Sequence, residues 1–246
     1  MPQEPPVSLW ATQHFGDEAR EIRQLVADAL AQSQSRAVMI QHMSGLPGKQ
    51  PFGGMWPKTH QEMENKLRAI PGARRFHPPK APYNLMVVNN RLLLPFRHAD
   101  TISKPLTKAK LKTKVAKELS AVLAAAAPAA DLFSFLGSDA GALEAPALNR
   151  PELLHLDPQT KVIYVPFVSH AHSGLIKAWW GEAGMRPDGT LIWGPELEEL
   201  PAGQVTDVDT ESVLISEQER TIPSPRFYEG DLPPLGFPNE SGDVAQ

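Results

Sequence analysis

Residues 107 to 119 read TKAKLKTKVAKEL, and five lysines, Lys108, Lys110, Lys112, Lys114 and Lys117, precede the first acid, Glu118. Leu111, Val115, Leu119, Val122 and Leu123 fall on one side at helical spacing, which predicts a helix over 107–127. Lys110, Lys114 and Lys117 would stand opposite that side, with Lys108 and Lys112 flanking it. A helix N-terminus carries partial positive charge, so each exposed cation there is disfavoured by about 0.3 to 1 kcal/mol. An anion docked on the lysines would resolve the conflict. Nucleic-acid phosphates are the commonest such anion, and lysine contacts to them give affinity without sequence information. A solvated face, or a face meeting an acidic protein surface, accounts for the same residues. Arg74, Arg75, Lys80 and Arg97 form a second line of phosphate contacts if the fold brings them alongside. Phe52, Trp56, Phe76 and Phe96 are interleaved with these basic residues; each is either a stacking platform for bases or an ordinary core residue.

Three other groupings have chemical potential. His170 and His172 would share one face of a strand, a geometry that can hold a divalent metal, with Glu182 or Asp188 adding a carboxylate. Asp207, Asp209 and Glu211 alternate, so an extended chain would aim three carboxylates one way, as a Mg²⁺ site requires. The glycine-rich GLPGKQ at 45–50 lacks the features of a nucleotide-binding loop: Met43 stands where the first glycine belongs, and Gln50 where a Ser or Thr should meet Mg²⁺. Elbow-serine, zincin, dinucleotide-binding and kinase signatures are missing.

These residues need elements to position them. Residues 17–34 carry Ile22, Leu25, Val26, Ala29 and Leu30 at helical spacing behind acids in the first turn, so a helix is expected there. The apolar run RAVMIQHM, 36–43, has strand length, and 44–58, with four glycines and three prolines, reads as a long loop before a short helix at 59–70. Asn89-Asn90 between apolar runs predicts a hairpin, because a two-residue turn demands positive φ; Pro95 should make its second strand an edge or end it early. KVIYVPFV, GLIKAWWGEA and GTLIWG read as a three-stranded antiparallel meander, with ESVLIS as a possible fourth strand.

The expected fold class is therefore α+β: a mainly antiparallel sheet, hairpin plus three-stranded meander, packed with three to four helices. Its expected organisation is a basic helix and hairpin region at 1–136, a linker-like loop at 137–160, the meander at 161–220 in the same domain, and an extended tail at 221–246. Charge follows the same division. The first 120 residues hold 18 Lys and Arg against 9 acids, the remainder 6 against 19, so +9 faces -13. A polyanion partner for the basic half and compensation within the fold both fit.

The sequence has no cysteine, and its apolar runs are shorter than a membrane span, which points to a reducing compartment, the cytoplasm, and away from membranes. The leading functional expectation is a nucleic-acid-binding protein. The alternatives are a metal-dependent hydrolase or nuclease using His170, His172 and acids, and a noncatalytic module that meets an acidic protein partner. The cofactor is accordingly none or a divalent metal.

Overall fold

The computed structural model describes residues 7–126, 156, 157 and 159–206. The expected Mg²⁺ trio at 207–211, the ESVLIS strand, the 221–246 tail and most of the 137–160 linker lie outside the described residues.

Chain order is α1 (Leu9–Phe15), α2 (Ala19–Ser44), α3 (Gln50–Gly54), α4 (Trp56–Leu67), β1 (Arg74–Phe76), β2 (Leu85–Val88), β3 (Arg91–Ala99), α5 (Lys114–Ala126), β4 (Lys161–His170), β5 (Gly174–Trp180), β6 (Ala183–Met185), β7 (Leu191–Trp193) and β8 (Glu198–Glu199). Strands β1-β2-β3-β4-β5-β8 make one six-stranded sheet, and β6-β7 a small second one. Every pairing is antiparallel except β3 with β4. The fold is α+β with a mainly antiparallel sheet, as the sequence suggests.

The topology differs from the expected meander in one respect. GTLIWG contributes β7, which pairs with β6, while the neighbour of β5 is β8. The 1–136 and 161–220 regions meet in the parallel β3/β4 pair, which runs from Arg91 beside Lys161 to Ala99 beside Val168, so they share one sheet.

The hairpin forms as expected, with Asn89 and Asn90 at φ 50° and 57°. Pro95 neither ends β3 nor breaks its pairing, for a reason of phase. A two-residue turn makes Val88 and Arg91 a hydrogen-bonded pair, so odd-numbered residues of β3 direct their backbone groups toward β2. Pairing with β2 stops at Leu93. Pro95 therefore lacks an N–H only where β3 has no neighbour on that side.

Helix α2 continues through the run expected to be a strand. Its buried side over that run is Gln34, Ala37 and Gln41, at helical spacing, while Met39, Ile40 and Met43 face solvent. Gln41 closes the turn beyond the helix by donating to the Leu46 and Gly48 carbonyls and accepting from the Phe52 N–H. The expected 44–58 loop contains α3 and the start of α4, with Pro51 and Pro57 in their first turns, where the missing N–H is harmless.

Two apolar layers flank the sheet. On one face α1, α2 and α4 bury Trp10, Phe15, Ile22, Val26, Leu30 and Leu67 against Leu93, Ile163, Val165 and Trp180. On the other, α5, β7 and the chain at Leu111 bury Leu119, Leu123 and Leu191 against Leu92, Leu94 and Tyr164.

After β8 the chain lies along α2 as an extended strap. Gln24 Nε2 donates to the Ala202 carbonyl at 3.4 Å, Asp28 Oδ1 accepts from the Gln204 N–H at 2.7 Å, and Gln32 Oε1 accepts from the Thr206 N–H at 2.9 Å. Gly203 lets the strap sit this close, since a Cβ there would fall 2.1 Å from the Ala27 carbonyl oxygen.

Candidate functional site

The lysine segment is not one helix. Leu106–Lys108 is a 3-10 turn, Lys110 forms a β-bridge with Thr190, and α5 begins only at Lys114. Thr113 caps it, its hydroxyl accepting from the Ala116 N–H at 3.3 Å. The expected helix over 107–127 is thus corrected: Lys108, Lys110 and Lys112 precede the helix, and of the five only Lys114 stands in its first turn. The crowding of cations at the dipole disappears.

Much of the segment's charge is also answered within the chain. Lys110 Nζ sits 3.2 Å from Asp188 Oδ2, Lys117 Nζ donates to the Asp188 carbonyl at 3.2 Å, and Lys114 lies 3.7 Å from Glu118. Asp188 is in turn held well below the usual carboxylate range, first by hydrogen bonds from the Thr190 N–H and hydroxyl and then by Lys110. Lys108 and Lys112 are exposed, with no carboxylate among the described residues within ion-pair distance.

The second line of basic residues divides. Arg97 stands far along β3, where its guanidinium donates to the Ser169 carbonyl and hydroxyl and lies 5.2 Å above the Phe52 ring. It fastens the ends of the parallel strands together. Lys80 is exposed in the turn between β1 and β2, at φ 61°. Arg74 and Arg75 are both exposed on β1 but point to opposite faces: Arg75, across from Met86, faces α4 and lines a groove there, while Arg74, across from Val87, turns to the α5 face.

This groove has two continuous parts that share Glu64. One, about 470 Å³, is lined by Gly54, Met55, Lys58, Gln61, Tyr83 and Asn84; the other, about 390 Å³, by Arg68, Ala73, Arg74, Arg75 and Met86. Helix periodicity explains the wall. Lys58, Gln61, Glu64 and Arg68 are spaced by three, three and four residues, so α4 and its C-cap present them on one side while Thr59, Met63 and Leu67 face inward. Among the described residues no carboxylate reaches Arg68 or Arg74; Arg74 donates to Asn90 Oδ1 at 3.0 Å. Arg75 is 3.2 Å from Glu64, and Lys58 is 3.3 Å from the buried Glu62, which also takes Arg36.

Aromatic rings border the same groove. Tyr83 stacks on His60 at 3.9 Å, and Trp56 meets Tyr83 edge-on at 5.1 Å. Trp56 is 46% exposed, whereas Phe52 and Phe76 are buried and Phe96 is half-buried against the α5 layer, so of the four aromatics Trp56 is the open platform. Burial pushes His60 down to about 3, which keeps it neutral at physiological pH, and it raises the Tyr83 phenol. His60 Nδ1 has no hydrogen-bond partner.

His170 and His172 do come together, with ring centroids 5.4 Å apart and His42 of α2 6.0 Å from His172. Glu182 does not join them. It lies by His14 and Lys161, beyond the opposite end of β4, and that ten-residue strand is about 30 Å long. Among the described residues no group of three His, Asp or Glu could hold a metal ion. No helix among them is long and apolar enough to cross a membrane.

Lys58, Glu64, Arg68, Tyr83 and Asn84 escape the sequence reading. The spacing along 58–68 was visible, but assigning 44–58 to a loop hid the start of the helix that gives it meaning. Comparison with protein families, curated proteins and solved structures found no match.

Proposed function

We propose that the chain binds single-stranded nucleic acid along the groove between α4, β1 and the 82–84 turn. The supporting observation is that three cations, Lys58, Arg68 and Arg75, line one groove whose Tyr83 meets the exposed Trp56 edge-on. Cations that follow a groove neutralise successive phosphates, and an exposed indole offers a face to any base. The lysines at 108–117 do not line this groove and are secondary in this reading; three of them are engaged by Asp188 and Glu118, as Lys58 and Arg75 are by Glu62 and Glu64. The cytoplasm suits such a protein, since a chain without cysteine gains nothing from an oxidising compartment.

The test is fluorescence anisotropy of a labelled single strand at rising salt. Each phosphate contact contributes about 0.7 to the log-log slope, so engagement of all three cations gives a slope near -2.1 and Arg75→Ala lowers its magnitude by about 0.7. Trp56→Ala should weaken binding by about 1 to 3 kcal/mol. A flat salt response, or unchanged affinity in Arg68→Ala and Arg75→Ala, would refute the reading.

A further inference from the structure

The polar network in the middle of the groove assigns roles that binding alone does not need. Glu64 Oε2 accepts from Asn84 Nδ2 at 2.8 Å, and Asn84 Oδ1 faces His77 Nδ1 at 3.1 Å. An ionised carboxylate only accepts, so the Asn84 amide must turn its NH₂ toward Glu64 and its carbonyl toward His77. That carbonyl also only accepts, so His77 carries its proton on Nδ1 and leaves Nε2 to exchange a proton with a ligand. Arg75 lies against the other oxygen of Glu64.

Along this path the Glu64 carboxylate and the His77 ring are at most about 8 Å apart, two hydrogen bonds and the width of one amide. A phosphodiester hydrogen-bonded on both sides spans a similar distance. A carboxylate, an imidazole and an arginine around one phosphate are groups suited to transfer a 2′-hydroxyl onto phosphorus.

We propose that the groove cleaves RNA by internal transphosphorylation, an inference that rests on the nucleic-acid reading of the same groove. Glu64 takes the proton of a ribose 2′-hydroxyl as that oxygen bonds to the adjacent phosphorus. The bond from phosphorus to the 5′-oxygen breaks, and His77, protonated on Nε2, gives that oxygen its proton. Arg75 stabilises the charge that gathers on the phosphate oxygens. The products are a 2′,3′-cyclic phosphate and a 5′-hydroxyl. Nothing is oxidised or reduced, and solvent restores both proton carriers.

The experiment incubates the full chain with an RNA oligonucleotide and with its all-deoxy counterpart, in EDTA, while anisotropy reports binding of each strand and mass spectrometry reports products. The expected result is binding of both strands, a 2′,3′-cyclic phosphate from RNA alone, and at least a hundredfold slower cleavage in Glu64→Gln and in His77→Gln with RNA binding retained. His77 is exposed, so His77→Gln remains informative if Glu64→Gln does not fold. Binding without cleavage, cleavage of the deoxy strand, or wild-type rates in either folded variant overturns this proposal and leaves the binding reading standing. Loss of binding to both strands overturns the two together.

Discussion

Replacing Glu198 by alanine is expected to lower stability by about 3 kcal/mol. Glu198 on β8 gathers three elements: Arg23 Nε of α2 lies 2.9 Å from Oε1, while the Trp180 indole of β5 and the Ser8 hydroxyl that caps α1 donate to Oε2. The Arg23 and Glu198 side chains are only 6% and 14% exposed, and the surrounding wall is Trp10, Phe15 and Trp180. Removing one partner of a buried pair costs about 3 to 5 kcal/mol where nothing else answers the remaining charge. The lower end applies here, because Arg23 Nη2 also donates to the Glu199 carbonyl at 3.0 Å and keeps that partner. For a domain of this size each kcal/mol moves Tm by about 2 to 4 °C, so a fall of about 6 to 12 °C follows. Urea unfolding followed by tryptophan fluorescence, beside a thermal melt, measures it. The double variant Arg23→Met with Glu198→Met should lie above Glu198→Ala, since apolar replacement of a buried pair is near neutral, yet stay about 1 to 3 kcal/mol below the parent because the buried Trp180 N–H loses its acceptor. Glu198→Ala within 1 kcal/mol of the parent would show that the charge left on Arg23 is well solvated, and the reasoning would fail.

Gly203→Ala must push the strap off α2; losing its three backbone contacts at about 1 kcal/mol each should destabilise by about 2 to 3 kcal/mol and speed amide exchange at Gln204 and Thr206. His60 is held at about 3 when folded against 6.5 when free, so its contribution is complete above about pH 6.5 and is lost as pH falls toward 3. Stability should drop on the order of 2 to 3 kcal/mol between pH 7 and pH 4.5, and urea melts of His60→Phe should show a shallower pH slope. Pro95→Val should leave stability within about 1 kcal/mol in the same melts, because the restored N–H points where β3 has no partner. Asp188→Asn, which frees exposed Lys110, should change stability by less than about 1 kcal/mol.

Local signals in the sequence were legible and nonlocal ones were not. The hairpin follows from Asn89-Asn90 alone, and α2 starts where its periodicity begins. Its extension to Ser44 was hidden because Met39, Ile40 and Met43 look like core residues yet face solvent, while the buried side is built from Gln34, Ala37 and Gln41. Proline was misread at 51 and 57 because a first helical turn tolerates it as well as a loop does. Thr113 could have marked the start of α5, but the bridge from Lys110 to Thr190 joins residues 80 apart and leaves no local trace. The groove shows the same contrast. Its α4 wall is a spacing pattern; the approach of Arg75 and Asn84 to Glu64 depends on the β1-β2 pairing.

The strap on α2 works like a vernier. Four residues of helix advance about 6.0 Å and two of extended chain about 6.6 Å, so Gln24, Asp28 and Gln32 meet residues 202, 204 and 206 nearly in step, with about 0.6 Å of slippage accruing per rung. Three rungs keep the accumulated offset near 1.2 Å, within the tolerance of hydrogen bonding. A single residue inserted between Ala202 and Gln204 would turn the next backbone groups away from α2, whereas two would restore the alternation and shift the lock along the helix by one rung.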